Sequence, residues 1–309
     1  MNAFLFPGQG AQEIGMAADL FKTDAAFRAL VGRASERTGA DLERLCRRGP
    51  ERELVRTKHL QPLLVCVSLG YLRRLTSAGV RPDQVLGHSL GEITALAAAG
   101  ILDFETAVDI AAKRGELMDA AADRLQGGMV AVISPAREAI RQYLAGIVPS
   151  GTLVLANDNA PGQIVLSGAE PELETAVEFI TRGRLGQCRR LPVAGPWHSP
   201  AMAPARQEFE AWLGPVEFRA PQVPLRFNVT AATESDPAKI RPLLARNLVE
   251  PVRWRECMEQ LRIAGATTLF EIGPGRVLSG LARANGFGDE TRICNVNNLR
   301  GVDLAAGKI

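Results

Sequence analysis

The 309-residue sequence predicts an α/β fold in two parts. A large subdomain built on a parallel sheet takes residues 1–126 and 194–309, and a small ferredoxin-like subdomain of order β-α-β-β-α-β is inserted at 127–193. Three observations carry this reading. Short apolar segments with strand character alternate with helical ones along the chain. The pentapeptide Gly87-His88-Ser89-Leu90-Gly91 joins such a strand to an alanine-rich helix. Between Gly127 and Val193 the segments run strand, helix, strand, strand, helix, strand.

Residues 3–6 read as a buried strand, broken by the loop Pro7-Gly8-Gln9-Gly10-Ala11-Gln12. Several helical patterns follow, the most apolar over 62–77. Residues 84–86 form the short strand before the pentapeptide, and 93–99 the helix after it. A second helix starts after Asp103, a good N-cap residue. In the inserted part, 129–133, 152–155, 163–167 and 187–191 have strand character, with helices at 137–144 and 171–181. The larger unit then resumes with a helix at 201–213, a strand at 225–229, a helix at 254–264 and a strand at 268–272. That last strand ends in Gly273-Pro274-Gly275, with a further helix beyond.

Bulk properties narrow the function. Apolar residues make up 46% and charged residues 23%, as in ordinary globular proteins. A formal net charge of +2 argues for neither nucleic acid nor an acidic membrane surface as partner. Basic clusters at Arg44, Arg47 and Arg48 and at Arg182, Arg184, Arg189 and Arg190 are solvated faces or a landing site for an acidic protein. Cys46, Cys66, Cys188, Cys257 and Cys294 show no C-x-x-C pair and no histidine at ligand spacing, which predicts reduced thiols and no metal site. No segment has the run of about 18 apolar residues that a membrane span needs. With no signal-peptide pattern evident either, a cytoplasmic location is expected.

Gly87 to Gly91 fits the G-x-S-x-G nucleophile elbow, in which small residues two positions either side of the serine permit a very tight turn. The competing reading is a capping box, since Ser89 and Glu92 have S-x-x-E spacing. A serine nucleophile needs a base, and there are three histidines. His88 adjoins the serine and should point away from it. His59 lies in the polar stretch Arg56-Thr57-Lys58-His59 and is expected to be solvated. His198 sits in Pro196-Trp197-His198-Ser199-Pro200, a loop at the exit of the inserted subdomain, and is the base by elimination, against the alternative of a structural loop histidine. No histidine follows it, and no acidic residue stands out as a third triad member, so an ordinary α/β-hydrolase order does not fit. Arg114 falls between Ala111 and Met118 on the buried side of its helix. It needs an anion there, either a structural Asp or Glu or a substrate carboxylate held in bidentate fashion.

Taken with these residues, the chain resembles the malonyl-CoA:acyl carrier protein transacylases almost end to end. The motifs are Phe6-Pro7-Gly8-Gln9-Gly10, Gln61-Pro62, Gly87-His88-Ser89-Leu90-Gly91-Glu92, Arg114-Gly115, Asn159-Ala160-Pro161-Gly162-Gln163, His198-Ser199, Pro251-Val252-Arg253-Trp254 and Gly273-Pro274-Gly275-Arg276-Val277-Leu278. The resemblance implies an α/β-hydrolase-like large subdomain and a ping-pong acyl transfer. Ser89 and His198 would be catalytic, with the backbone N–H groups of Gln9 and Leu90 as oxyanion hole. Arg114 would hold the malonyl carboxylate, and Gln61 and Trp197 would line the acyl pocket. The backbone carbonyl of Asn247, where relatives often have glutamine, would orient the histidine. Substrates would be malonyl-CoA and the phosphopantetheine thiol of a transient carrier-protein partner, with no bound cofactor. The bulky Trp197 is expected to crowd an α-methyl branch. The resemblance leaves fatty-acid synthesis, a trans-acting polyketide acyltransferase and the malonyl-transfer subunit of malonate decarboxylase open as settings. An acyl-thioester hydrolase and a non-catalytic docking module are the rival classes.

Overall fold

The computed structural model describes residues 1–147 and 152–308. Residues 148–151 of the inserted segment and residue 309 lie outside the described residues. The chain opens with β1 (Asn2–Phe6), and four short helices, α1 (Ala18–Thr23), α2 (Ala25–Thr38), α3 (Leu42–Arg48) and α4 (Glu51–Leu54), lead to the long α5 (Thr57–Ser77). Then come β2 (Gln84–Gly87), α6 (Gly91–Ala98) and α7 (Phe104–Ala122). The inserted part holds β3 (Gly127–Ile133), α8 (Arg137–Ile147), β4 (Val154–Ala160), β5 (Gln163–Ala169), α9 (Glu170–Arg182) and β6 (Gln187–Arg190). A 3-10 turn, Pro200–Met202, opens α10 (Ala203–Leu213), followed by β7 (Leu225–Arg226), α11 (Pro237–Arg246) and α12 (Trp254–Ile263). The chain closes with β8 (Thr268–Ile272), α13 (Val277–Ala284), β9 (Arg292–Val296) and α14 (Leu299–Ala305).

Two sheets result. The larger has strand order β7-β2-β1-β8-β9, and every pairing in it is parallel. Its central strand is buried on both faces, as parallel sheets require. Phe4 and Phe6 pack on one side with α2 and α5, while Ala3 and Leu5 pack on the other with α12 and α13. β1 and β2 run in register to their common end, Phe6 opposite Gly87. The carboxyl ends of the central strands, where open α/β sheets place ligands, therefore open directly onto the pentapeptide. The smaller sheet is antiparallel with order β4-β5-β3-β6, the ferredoxin-like arrangement, and α8 and α9 cover one face.

Several elements differ from the sequence expectation. Helix α5 starts at Thr57 rather than at Pro62, which lies inside it. His59 is consequently buried at 6% exposure, and its Nδ1–H donates to the Glu53 carbonyl at 2.8 Å. β4 continues to Ala160, through the polar run Asn157-Asp158-Asn159 beyond the strand expected at 152–155. Each of those residues has a partner. Asn157 bridges to Val252, Asp158 pairs with Arg137 and Arg255, and the Asn159 amide meets His88. Two register irregularities in β4 accompany this departure from plain pairing. β7 has two residues rather than five, because Asn228 leaves the sheet to serve the elbow. β9, which carries no strong apolar pattern, completes the parallel sheet at its edge, and α14 follows it.

The tightest packing is at the end of β2. A Cβ on Gly91 would lie 2.0 Å from the Phe6 carbonyl oxygen. We predict that Gly91→Ala loses roughly 3 kcal/mol or more of stability, since backbone cannot move aside as a side chain can. Gly32, in α2, has nothing within 4 Å of its would-be Cβ. Gly32→Ala should stabilise by roughly 0.5–1 kcal/mol. Denaturant midpoints of the two variants measured side by side check both signs.

Candidate active site

The site is built outward from the turn between β2 and α6. Ser89 has φ 51°, the left-handed region that a non-glycine residue occupies only under external constraint. The constraint is steric. A Cβ on Gly87 would lie 2.0 Å from the Gly91 carbonyl carbon, and one on Gly8 would lie 2.7 Å from the His88 oxygen. Backbone thus packs on backbone from two sides. Asn228 locks the turn: its Oδ1 accepts the Ser89 N–H at 2.7 Å, and its Nδ2 donates to the Gly87 carbonyl at 2.7 Å. The hydroxyl does not cap α6, which has no side-chain cap. Instead Ser89 Oγ lies 2.7 Å from His198 Nε2.

His198 is 4% exposed and also left-handed, at φ 56°. Its backbone N–H donates to the Leu248 carbonyl at 3.1 Å, and its Nδ1 lies 2.6 Å from the Asn247 carbonyl. A carbonyl can only accept, so Nδ1 carries the proton and Nε2 is free to accept from the serine. Burial, and then the Arg114 charge, pull the imidazole down to about 3. His88 points away, as expected. Its Nε2 meets Asn159 Oδ1 at 2.7 Å, and its ring sits edge-on to Trp254.

Arg114 reaches the same point from α7. It is 1% exposed, and its Nη2 lies 3.4 Å from Ser89 Oγ and 3.3 Å from Asn247 Oδ1. No Asp or Glu pairs with the guanidinium among the described residues, and its Nε has no partner. The structural ion pair that the sequence left open is therefore not formed. Burial pushes the guanidinium down to about 10, opposed by the charge of Glu92.

The remaining predicted residues surround these three. Gln61 is fully buried, and its Nε2 donates to Gln9 Oε1 at 3.1 Å and to Met118 Sδ at 3.2 Å. It ties the loop after β1 to α7 one turn beyond Arg114. The backbone N–H groups of Gln9 and Leu90 make no internal hydrogen bond among the described residues. Trp197 is buried, with its indole folded against Gly195, where a Cβ would lie 2.5 Å from the ring. Its Nε1 has no partner. Of the basic cluster near the inserted sheet's edge, Arg184 and Arg189 are exposed, while Arg182 pairs with Glu178 and Arg190 with Glu170.

Sequence reasoning missed Asn228 and offered Glu92 no role beyond the competing capping box. Glu92 is not a cap partner but a fully buried carboxyl, with Oε2 2.7 Å from the Asn228 N–H and Oε1 3.3 Å from Asn247 Nδ2. Burial raises it to about 8, against the opposing pull of the Asn228 N–H and Arg114. The available signals were an asparagine inside an apolar strand pattern and a glutamate in an otherwise apolar helix, both polar groups that must find partners when buried. Chemically, the arrangement offers a hydroxyl with a proton acceptor in line, uncommitted backbone donors beside it and an unpaired cation 3.4 Å from the hydroxyl oxygen. That suits covalent acyl chemistry on an acyl group bearing an anion.

The family model described as the acyl transferase domain matches residues 3–285. The chain is 40% identical over 282 residues to the malonyl CoA-acyl carrier protein transacylase of Bacillus subtilis, covering 91% of this chain and 89% of that one. It is 38% identical over 285 residues to the polyketide biosynthesis malonyl CoA-acyl carrier protein transacylase BaeC of Bacillus velezensis, covering 91% and 95%. In fold it is similar to PlMCAT, a malonyl-transacylase solved with AntF, a type II polyketide synthase acyl-carrier protein. There the TM-score is 0.93 and the identity 34%, over 100% of this chain and 99% of that one.

The environment of His198 sets a pH expectation. A lowered imidazole stays neutral as pH falls until its own pKa, about 3, is reached. The rate at which a sulfonyl fluoride labels Ser89 should therefore stay level from about pH 7.5 to about pH 5. A histidine at the ordinary value of about 6.5 would lose more than tenfold over that range. A labelling rate that falls with a midpoint near 6.5 contradicts this.

Proposed function

This chain belongs to the malonyl-CoA:acyl carrier protein transacylase family of acyl transferases, and we propose that it moves a malonyl group from CoA to a carrier-protein thiol through an ester on Ser89. One observation carries the assignment of roles: Ser89 Oγ stands 2.7 Å from a neutral histidine acceptor and 3.4 Å from a buried, unpaired arginine. In the first half-reaction Ser89 Oγ attacks the thioester carbonyl as its proton passes to His198 Nε2. The N–H groups of Gln9 and Leu90 receive the developing oxyanion. The C–S bond breaks, the thiol of CoA departs with the proton from His198, and a malonyl-serine ester remains. In the second half-reaction the phosphopantetheine thiol of the carrier gives its proton to His198 and attacks that ester. Ser89 leaves and recovers the proton. Each step exchanges one acyl bond and one proton, so no resident cofactor is required.

The Asn247 carbonyl holds the imidazolium as it forms, which is why no acidic triad member is needed. Arg114 supplies selectivity. An acetyl group would leave the guanidinium buried without an anion, whereas a malonyl group brings one. Gln61 and Trp197 bound the acyl pocket, and the indole crowds an α-methyl branch. A hydrolase reading is disfavoured by the same arginine, since simple acyl groups give it nothing to bind. The exposed Arg184 and Arg189 offer a landing place for an acidic carrier protein, and the subdomain limits at 126/127 and 193/194 put them on the inserted unit. Reduced cysteines, of which Cys46, Cys66 and Cys257 are buried, fit a cytoplasmic setting.

Intact mass spectrometry tests the proposal directly. Incubation with malonyl-CoA should add one malonyl group, absent from Ser89→Ala, that is lost rapidly with holo carrier protein and slowly in buffer. Fast loss in buffer would instead mark a hydrolase, and no adduct at all a docking protein. For Arg114→Ala we predict a fall in malonyl relative to acetyl transfer of about a hundredfold or more, the scale of an uncompensated buried charge contact. Trp197→Ser should raise methylmalonyl relative to malonyl transfer, and an unchanged ratio removes the pocket role of the indole.

A further inference from the structure

Apart from Thr94, Glu92 is the single polar side chain of α6. Its two oxygens are both engaged, Oε2 by the Asn228 N–H at 2.7 Å and Oε1 by Asn247 Nδ2 at 3.3 Å. The other end of the same Asn247 amide accepts from Arg114 Nη2 at 3.3 Å. One side-chain amide thus stands between a buried carboxylate and a buried guanidinium that form no direct ion pair. Its orientation is dictated by its neighbours. Turned over, the amide would present its NH2 to the guanidinium and its oxygen to the carboxylate, a repulsion at each end. Both Glu92 oxygens face N–H donors and neither faces an acceptor, the partner pattern of an ionised carboxylate, although burial works against that form. The charged or titratable groups facing Glu92 are Arg114 from α7 and the Cys257 thiol from α12.

We propose that Glu92 is a positioning residue for the substrate, holding the Arg114 guanidinium in place through the Asn247 amide so that it faces an incoming acyl carboxylate. This rests on the reading that Arg114 receives a malonyl carboxylate. A carboxylate bonded directly to Arg114 would occupy the donors that the substrate needs. A relay through a neutral amide orients the guanidinium from one nitrogen and leaves Nε without a protein partner. The same side chain also grips the Asn228 backbone, whose amide holds the Ser89 N–H. The anchor for the substrate's anion and the anchor for the nucleophile therefore share one carboxylate.

Glu92→Gln separates the two grips. The new side chain keeps the shape, and its oxygen still accepts from Asn228. Its NH2, however, faces the Asn247 NH2, so the amide must turn over or withdraw, and Arg114 loses its acceptor either way. In the full-length protein we expect kcat/KM for malonyl-CoA to fall by about tenfold or more, chiefly through KM, with acetyl-CoA turnover changing far less. Asn247→Ala retains the backbone carbonyl that orients His198 and should lower the malonyl-to-acetyl ratio to a similar degree. The double variant should fall no further than either single one. An equal loss for both acyl donors in Glu92→Gln, an unchanged ratio in Asn247→Ala, or additive effects in the double variant would overturn the relay while leaving the proposed function standing. A wild-type chain that takes no acyl group from malonyl-CoA overturns the proposed function itself, and the relay with it.

Discussion

The close approach of three backbone segments at the end of β2 is the constraint on which everything else depends. Gly87 touches Gly91 across the turn, Gly91 touches Phe6 of β1, and Gly8 touches His88. None of these contacts leaves room for a Cβ. Because the strands run in parallel register to a shared end, the turn cannot relax away from the sheet. Ser89 is left in a conformation its side chain disfavours, and the strain is held by Asn228 on one flank and by buried packing of α6 on the other. Geometry of this kind fixes the hydroxyl before any substrate arrives, which is what a nucleophile gains from a tight turn.

Around that fixed point the electrostatics are arranged by burial more than by pairing. His198 is kept neutral because water is excluded and a cation is near. Arg114 keeps its charge in a buried place where no carboxylate touches it. The two facts are linked in the proposed reaction. A substrate carboxylate arriving at Arg114 offsets the charge that depresses the imidazole, so the base strengthens when the fitting acyl group is in place. An acyl group without that carboxylate leaves the base weak and the guanidinium unpaired. In that reaction selectivity and reactivity are expressed through one side chain, and in the proposed relay Glu92 with Asn247 sets where that side chain points.

The alternation of elements, the elbow and the inserted antiparallel sheet were legible in the sequence because each rests on local pattern: apolar period, small residues at a turn, and strand-helix order. Ser89, His198 and Arg114 were legible from residue type and spacing, whereas Gln9, Leu90, Gln61, Trp197 and Asn247 were named only through the family resemblance. What sequence reasoning lacked was long-range partnership. Asn228 reads as part of a strand, yet it leaves the sheet to bond residues 139 and 141 positions away. Glu92 has the spacing of a helix cap, yet its partners come from loops more than 130 residues downstream. Asn157-Asp158-Asn159 lies beyond the strand expected at 152–155, and it is strand because the Asn157 backbone bridges to Val252 while the Asp158 and Asn159 side chains find partners on other elements. His59 looks solvated because its stretch is polar, and is buried because the Glu53 carbonyl takes up its ring N–H.

In the proposed reaction, a buried, unpaired arginine beside the nucleophile chooses the acyl group. A direct competition measures this. Enzyme is mixed with equimolar malonyl-CoA and acetyl-CoA, quenched within a few turnovers, and digested so that the peptide carrying Ser89 can be weighed. Malonyl should predominate on Ser89 by a large factor. Equal labelling by the two groups, or a majority of acetyl, would contradict it.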